Sequence, residues 1–519
     1  MEWPADPEGE PILRRYRFLR WWTRQMSQVW FREFSVIGHD LVPRERGVLH
    51  VAWHAGAMID PLVMFSGLPG RLTFVAKHTL WRVPVLRWML DAAGAQPVQR
   101  AGEGEGNRAA GIEALIETMA TLLAEGRHCV IYPEGKAHLS PRPVKIKTGP
   151  ARILQRAIQI ADERGLPHPS LQPIGLHYTD QHRFRERALM EIHRPIELPP
   201  PGDDDRGWVE QVTAIIDVEL NRSTIGMETW EDRHLMWRTR GLVHQARRAQ
   251  AGLETDRQSY VESITAARRV RAAYQWLQEE DSTRAESIRS EVALHHERME
   301  AYDLSDFEIF RQQNRPTRLQ LVGAYLNLSW CWFWMLGFVG WISMIGNFVP
   351  YRVAGMLSNR LSMGDKTSLG STKLMLSIVL MPIWWLSIAM PAAWTVSSIV
   401  NAIDVPPYGL LLPFALMLVQ AIPWWLLGLM LMLAFPLAAR KHIQLYLRTV
   451  QSWRTVRRWF RLRDDGVPWA ELREKQMALA QLLLEVGDSL ILPGDAEWSD
   501  PSTGLEDWQV VRRRTPVAP

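Results

Sequence analysis

The chain has 519 residues, with 60 Lys and Arg against 56 Asp and Glu and a net charge of +4. That length accommodates several domains, and the positive excess is too mild to argue for a nucleic-acid partner. Two cysteines, Cys129 and Cys331, both in apolar runs, exclude a disulfide framework, and no Cys-x-x-Cys or His-Glu-x-x-His pattern indicates a metal site.

The mean hydropathy of −0.15 averages two unlike parts. Residues 1–318 are rich in charge, whereas 319–439 are nearly free of it apart from one loop, and many of the 25 Trp lie in or beside the apolar stretches. Tryptophan favours the membrane–water boundary. The first ten residues lack the basic-then-apolar order of a signal peptide. Residues 1–34 are expected to hold a basic amphipathic helix. Ile12, Tyr16, Leu19, Trp22, Met26 and Trp30 share one face, and Arg14, Arg15, Arg17, Arg20 and Arg24 flank it. Such a helix lies in a head-group layer or packs on a domain core, and both readings stay open here.

Residues 35–206 read as an α/β domain. The apolar runs Val48–Trp53, Leu72–Ala76, Cys129–Tyr132 and Leu171–Leu176 alternate with the helical stretches Arg108–Glu125 and Ala151–Glu163, which predicts a sheet covered by helices. Pro199-Pro200-Pro201-Gly202 marks its end. Residues 207–318 are charged and helical in pattern. Three runs without a charge follow: Leu319–Tyr351, Leu374–Ile403 and Val405–Ala439. Each exceeds the roughly 20 residues needed to span a bilayer, so 319–439 is expected to be membrane-embedded. Basic residues flank three of the four connecting regions, and only Asp404 separates the last two runs. The positive-inside rule then favours a hairpin of the second and third runs with 401–408 outside. The first run dips in and returns, bending at Gly337, Gly340, Gly346 or Asn347. Residues 440–519 read as a basic tail, and the catalytic part lies on the cytoplasmic side of an integral membrane protein.

Two motifs carry chemistry. His54-Ala-Gly-Ala-Met-Ile-Asp60 follows an apolar strand and opens a helix, so the carboxylate returns to the imidazole one turn away and fits it as a general base. Ile131-Tyr132-Pro133-Glu134-Gly135-Lys136 ends a second strand. Gly135 permits a tight turn or a close ligand. Glu134 accepts from substrate hydroxyls or braces the site, and His138 reads as structural. The segment Gly102-Glu103-Gly104-Glu105-Gly106 is a flexible loop, because its two carboxylates repel phosphate. The absence of Gly-x-Ser-x-Gly argues against a serine esterase.

Together and in this order, the two motifs resemble the phospholipid/glycerol acyltransferase superfamily. Its first block is a His and an Asp separated by four or five residues, and its third is Phe-Pro-Glu-Gly. The chain also matches its second block in Gly94-Ala-Gln-Pro-Val-Gln-Arg100, its fourth in Pro173, and a following Lys-x-Gly in Lys147-Thr148-Gly149. The layout is similar to the branch of fungal glycerol-3-phosphate/dihydroxyacetone-phosphate acyltransferases and their bacterial relatives. Trp53, Ala55-Gly56, Lys136 and Ala137 depart from the common pattern at positions that line the family's pocket, which leaves the acceptor open.

The resemblance implies an acyltransferase-type sheet flanked by helices, and a membrane-bound enzyme of phospholipid biosynthesis. It implies transfer from acyl-CoA or acyl carrier protein, as co-substrate, to glycerol 3-phosphate or 1-acylglycerol 3-phosphate. His54 and Asp60 would be catalytic. Arg100 would hold the acceptor phosphate, Glu134 and Gly135 the glycerol, and Lys136, Lys145 and Lys147 would add phosphate contacts. Pro173 would belong to the substrate site. The partners are the lipid bilayer, the thioester donor and the phosphorylated acceptor, with no cofactor. The rival readings are an acyltransferase of another lyso-lipid and a catalytically silent lipid-binding scaffold.

Overall fold

A strand that feeds a helix and returns parallel buries apolar side chains on both faces of a sheet. The computed structural model describes residues 14–98, 108–180, 183–201, 204–252, 258–310, 316–362, 366–403, 411–461 and 468–514. It divides into two compact units: Met1–Arg311 with Trp469–Pro519, and Gln312–Pro468.

In the first unit, α1 (Arg14–Trp30) leads into β1 (Glu33–Ile37) and β2 (Val48–Ala52). Then come α2 (Ile59–Gly67), β3 (Leu72–Lys77), α3 (Pro84–Ala93), β4 (Gln96–Val98), α4 (Arg108–Ala124), β5 (His128–Ile131), α5 (Gly149–Arg164), β6 (Ser170–Tyr178) and β7 (Arg187–Ile192). They form one seven-stranded sheet in the order β1-β7-β6-β2-β5-β3-β4. Every neighbouring pair is parallel except β6 and β7. One face of β2, through Leu49 and Val51, packs into a core with Met119, Leu123, Ala157 and Leu220. The other face carries His50, whose Nε2 meets His128 Nδ1 at 3.2 Å. The four strands expected from apolar runs are present. Strands β1, β4 and β7 were not expected, because their short mixed sequences show no strand period.

Helix α1 packs on the domain: Tyr16, Leu19, Ser27 and Trp30 are buried. Arg20, expected to flank the face, is 1% exposed and donates to the Leu68 and Gly70 carbonyls at 2.8 and 2.7 Å. Its guanidinium supplies donors to backbone acceptors of the α2–β3 turn, where the Gly70 carbonyl also accepts from the Tyr16 hydroxyl at 3.2 Å. Phe18 and Trp21 remain outside, beside Arg14, Arg15 and Arg17.

The unit continues with α6 (Asp205–Thr224), α7 (Trp230–Gln250), α8 (Tyr260–Glu280), α9 (Ser282–Ala301) and α10 (Asp306–Phe310). The second unit holds α11 (Arg318–Leu336), α12 (Phe338–Leu361), α13 (Lys366–Asn401), α14 (Leu411–Ala421) and α15 (Trp424–Arg461). The helical spans Leu369–Asn401 and Trp424–Phe460 are long and apolar enough to cross a membrane. Helices α11 and α12 are bent by 53° relative to each other. The break falls at Gly337, where a Cβ would stand 2.7 Å from the Phe333 carbonyl oxygen. Side-chain donors tie this unit together: Asn347 donates to the Phe435 carbonyl at 3.1 Å, and Trp384 and Trp385 to the carbonyls of Ile345 and Gly346.

The expected boundary at 439 and the single tail 440–519 are corrected. Helix α15 runs on to Arg461, with Leu445 and Val456 buried. The chain then re-enters the first unit as α16 (Trp469–Asp488) and a hairpin of β8 (Leu490–Ile491) and β9 (Arg512–Arg513). Leu479 and Leu483 of α16 close a core with Leu235, Leu242 and Val292, and that burial outweighs the segment's polar average.

Candidate active site

Parallel order brings the carboxyl ends of β2, β5 and β6 to one edge of the sheet, the edge at which ligands bind in open α/β folds. His54 follows the end of β2, Glu134 the end of β5, and Tyr178 closes β6. Asp60 stands in the first turn of α2. The intervening turn is tight: Ile59 and Asp60 donate backbone N–H groups to the Gly56 and Ala57 carbonyls, and Ala57 adopts a left-handed φ of 50°.

His54 Nδ1 and Asp60 Oδ2 are 2.9 Å apart. The carboxylate accepts, so Nδ1 carries the proton and Nε2 presents its lone pair. Among the described residues Nε2 has no hydrogen-bond partner. The imidazole is 14% exposed and the Asp60 side chain 0% exposed, so the base is open and its orienting group sealed. Two further donors meet the carboxylate: the Gly56 N–H at 2.8 Å and the Tyr178 hydroxyl at 2.7 Å. Burial and the nearby Asp60 carboxylate push the Tyr178 phenol well above its ordinary range, so it stays a protonated donor. A Cβ on Gly56 would stand 2.5 Å from Asp60 Oδ1, which explains why this turn holds glycine.

The Tyr132 ring stacks on His54, with centroids 4.2 Å apart and planes at 15°. Its hydroxyl is buried without a partner among the described residues, and burial with the Asp60 charge raises its pKa well above the usual range. Glu134 is sealed. One oxygen accepts the His54 N–H at 2.9 Å; the other accepts the Val144 N–H at 3.0 Å and lies 2.6 Å from His138 Nε2. His138 Nδ1 accepts from the Ser140 N–H, so the Nε2 hydrogen faces Glu134. The expected glycerol contact of Glu134 is therefore corrected: its side chain braces the backbone of His54 and is closed to a ligand.

Gly135 has φ 71°, and the Lys147 side chain lies across the space a Cβ there would fill, with its ε-carbon 3.1 Å from that position. Lys147, Lys136 and Lys145 are exposed, and Lys147 and Gly135 thus adjoin the Glu134 turn. Pro173 stands in β6 opposite Val51, buried in the sheet. Arg100 lies outside the described residues, as do residues 102–106. Tyr178 was missed from sequence. Its signal was its place as the last residue of a strand parallel and adjacent to the one that precedes His54.

Residues 33–176 match the Acyltransferase family model. An uncharacterized acyltransferase of Schizosaccharomyces pombe is 32% identical over 77 residues, 15% of this chain and 11% of that protein. The chain thus aligns with about a tenth of that relative's length. The 1-acyl-sn-glycerophosphate acyltransferase PlsC of Thermotoga maritima is similar over 40% of this chain and 79% of its own, with 17% identity and a TM-score of 0.29. The family-model match encloses the His54–Asp60 turn, the Glu134 turn and Pro173. Residues 33–176 are accordingly similar to acyltransferase domains.

Proposed function

We propose that the protein is a membrane-bound O-acyltransferase of phospholipid synthesis. It moves a fatty acyl group from acyl-CoA or acyl carrier protein to the hydroxyl of glycerol 3-phosphate or 1-acylglycerol 3-phosphate. The observation that carries this reading is the open Nε2 of His54 beside a sealed, triply hydrogen-bonded Asp60. Nε2 takes the acceptor hydroxyl's proton as its oxygen attacks the thioester carbonyl. The C–O bond forms, the C–S bond breaks, and the imidazolium returns the proton to the departing thiolate. Asp60 holds the ring's orientation and stabilises the imidazolium. No covalent enzyme intermediate is needed, because the acceptor oxygen is the nucleophile.

In this reading Arg100 holds the acceptor phosphate, since a guanidinium offers paired donors. Lys147 and Lys136 add charge beside it. The apolar helices keep the enzyme at the bilayer, with the catalytic unit on the cytoplasmic side. Desorbing an acyl chain into water costs about 0.8 kcal/mol per methylene, and a surface-bound enzyme avoids that step.

The test is transfer of radiolabelled acyl-CoA to each acceptor by purified membranes, wild type against His54→Ala. Loss of transfer at equal protein level is expected, and equal rates would remove His54 from its role. Arg100→Ala is expected to raise the Michaelis constant for the acceptor more than for the donor; the opposite pattern would remove Arg100 from the phosphate site.

A further inference from the structure

Helices α7, α8, α9 and α16 line a half-open pocket of about 390 Å³. Its walls are mostly carbon, from Leu235, Val243, Val270, Leu277, Val292 and Leu483. Carbon walls open to solvent leave apolar surface in water, and an apolar ligand seated there would remove it. None of His54, Asp60 or Glu134 lines it, and the inference is independent of the transferase reading.

The charges around it are uneven. Arg269 pairs with Asp495 at 2.7 Å, Arg289 with Asp232 at 2.9 Å, Arg271 with Glu506 at 3.0 Å and Arg247 with Asp488 at 2.5 Å. Arg240 alone of these lining arginines has no carboxylate partner among the described residues. It donates to Gln258 Oε1 at 2.7 Å and lies over the Trp237 ring at 5.2 Å, while its Nε is buried without a partner. Burial, and then the nearby Arg187 guanidinium, lower its pKa to about 10, the mark of a cation short of compensation.

An alkane would fill the walls and leave the cation bare. An inorganic anion would meet the cation and leave the walls wet. A molecule that is apolar along its length and anionic at one end satisfies both. The volume lies at the lower end of the range of ligand pockets, about 300–1,000 Å³, which suits one chain and not two. We propose that this cavity binds a single-chain anionic lipid, its acidic head on Arg240 and its alkyl chain among α7, α8, α9 and α16. A carboxylate and a phosphate monoester share the required chemistry.

The experiment uses the full chain in phosphatidylcholine nanodiscs and a diazirine-bearing palmitate, with labelled peptides mapped by mass spectrometry. The probe is not a thioester, so turnover at His54 does not enter. Label is expected on α7, α8, α9 and α16. Palmitate and hexadecyl phosphate are the competing arms, and whichever displaces the probe at lower concentration identifies the head group. Hexadecanol is expected to compete at least about tenfold more weakly, as is usual for losing a hydrogen bond to a charged group. Arg240→Gln should weaken labelling about tenfold, Arg240→Lys less, and Val243→Trp should abolish it. Hexadecanol competing as well as the anions would overturn the proposal, as would label absent from these helices. The competition arm uses wild-type protein throughout and decides alone if a variant does not fold.

Discussion

Replacing Tyr178 by Phe deletes one hydroxyl and leaves the ring in place, stacked 6.0 Å from Phe31 at 18°. The hydroxyl lies 2.7 Å from Asp60 Oδ1, and the other two donors to this carboxylate both go to Oδ2. The Asp60 side chain is 0% exposed, so bulk water cannot replace the lost donor. Hydrogen bonds to charged groups are worth about 1.5–3 kcal/mol, and about 1.4 kcal/mol is a factor of ten in rate. If the bond holds Asp60 in line with His54, its loss falls on the step in which the imidazole charges. The expected result is a kcat lower by about ten- to a hundredfold, with both Michaelis constants within about twofold of wild type. The assay is initial-rate acyl transfer at saturating and limiting acceptor, with thermal unfolding measured on the same preparation. A kcat within about twofold of wild type, whether or not the melting temperature falls, would refute the positioning role and leave the bond purely structural.

Gly56→Ala places a Cβ 2.5 Å from Asp60 Oδ1, too close for contact, so the carboxylate must move by roughly 1 Å, and a misplacement of that size costs about a hundredfold; retained transfer in an otherwise folded variant would contradict the turn geometry. Tyr132→Phe removes a buried hydroxyl without a partner among the described residues and keeps the ring on His54. It is expected to raise stability by about 1 kcal/mol with transfer intact, and a fall in kcat would show that the hydroxyl meets substrate. Burial, and then Arg20, hold His128 down at about 4, and burial lowers His50 as well. The unfolded chain binds protons from about pH 6.5 downward while the folded pair does not, so stability is full above that pH and is lost as pH falls toward 4. About 2 kcal/mol from His128 should disappear between pH 6.5 and 5 in denaturant titrations, and His128→Gln should remove that part of the slope; an unchanged slope would deny the buried neutral pair.

Much of the candidate site was readable because it is local. His54 and Asp60 are six residues apart across one turn, so spacing alone brings imidazole and carboxylate together once a strand ends and a helix begins. The charge-free runs were equally legible, since a helix that crosses a bilayer must exclude charge along about 20 consecutive residues. Gly337, one of four expected bend positions, is where the helix breaks.

What the chain order could not express was decided by packing between distant segments. Tyr178 reaches Asp60 across 118 positions only because β6 lies parallel beside β2. Glu134, legible as either a ligand or a brace, has its oxygens taken by His54, Val144 and His138. Arg20 looked like a surface cation and is buried, because backbone carbonyls of the α2–β3 turn needed donors. Residues 469–514 looked like a tail and fold into the first unit, because Leu479 and Leu483 complete its helical core. Local spacing determines which groups can meet within a turn; only the tertiary fold determines which remote donors and apolar faces find each other, since burial rewards contacts that sequence separation conceals.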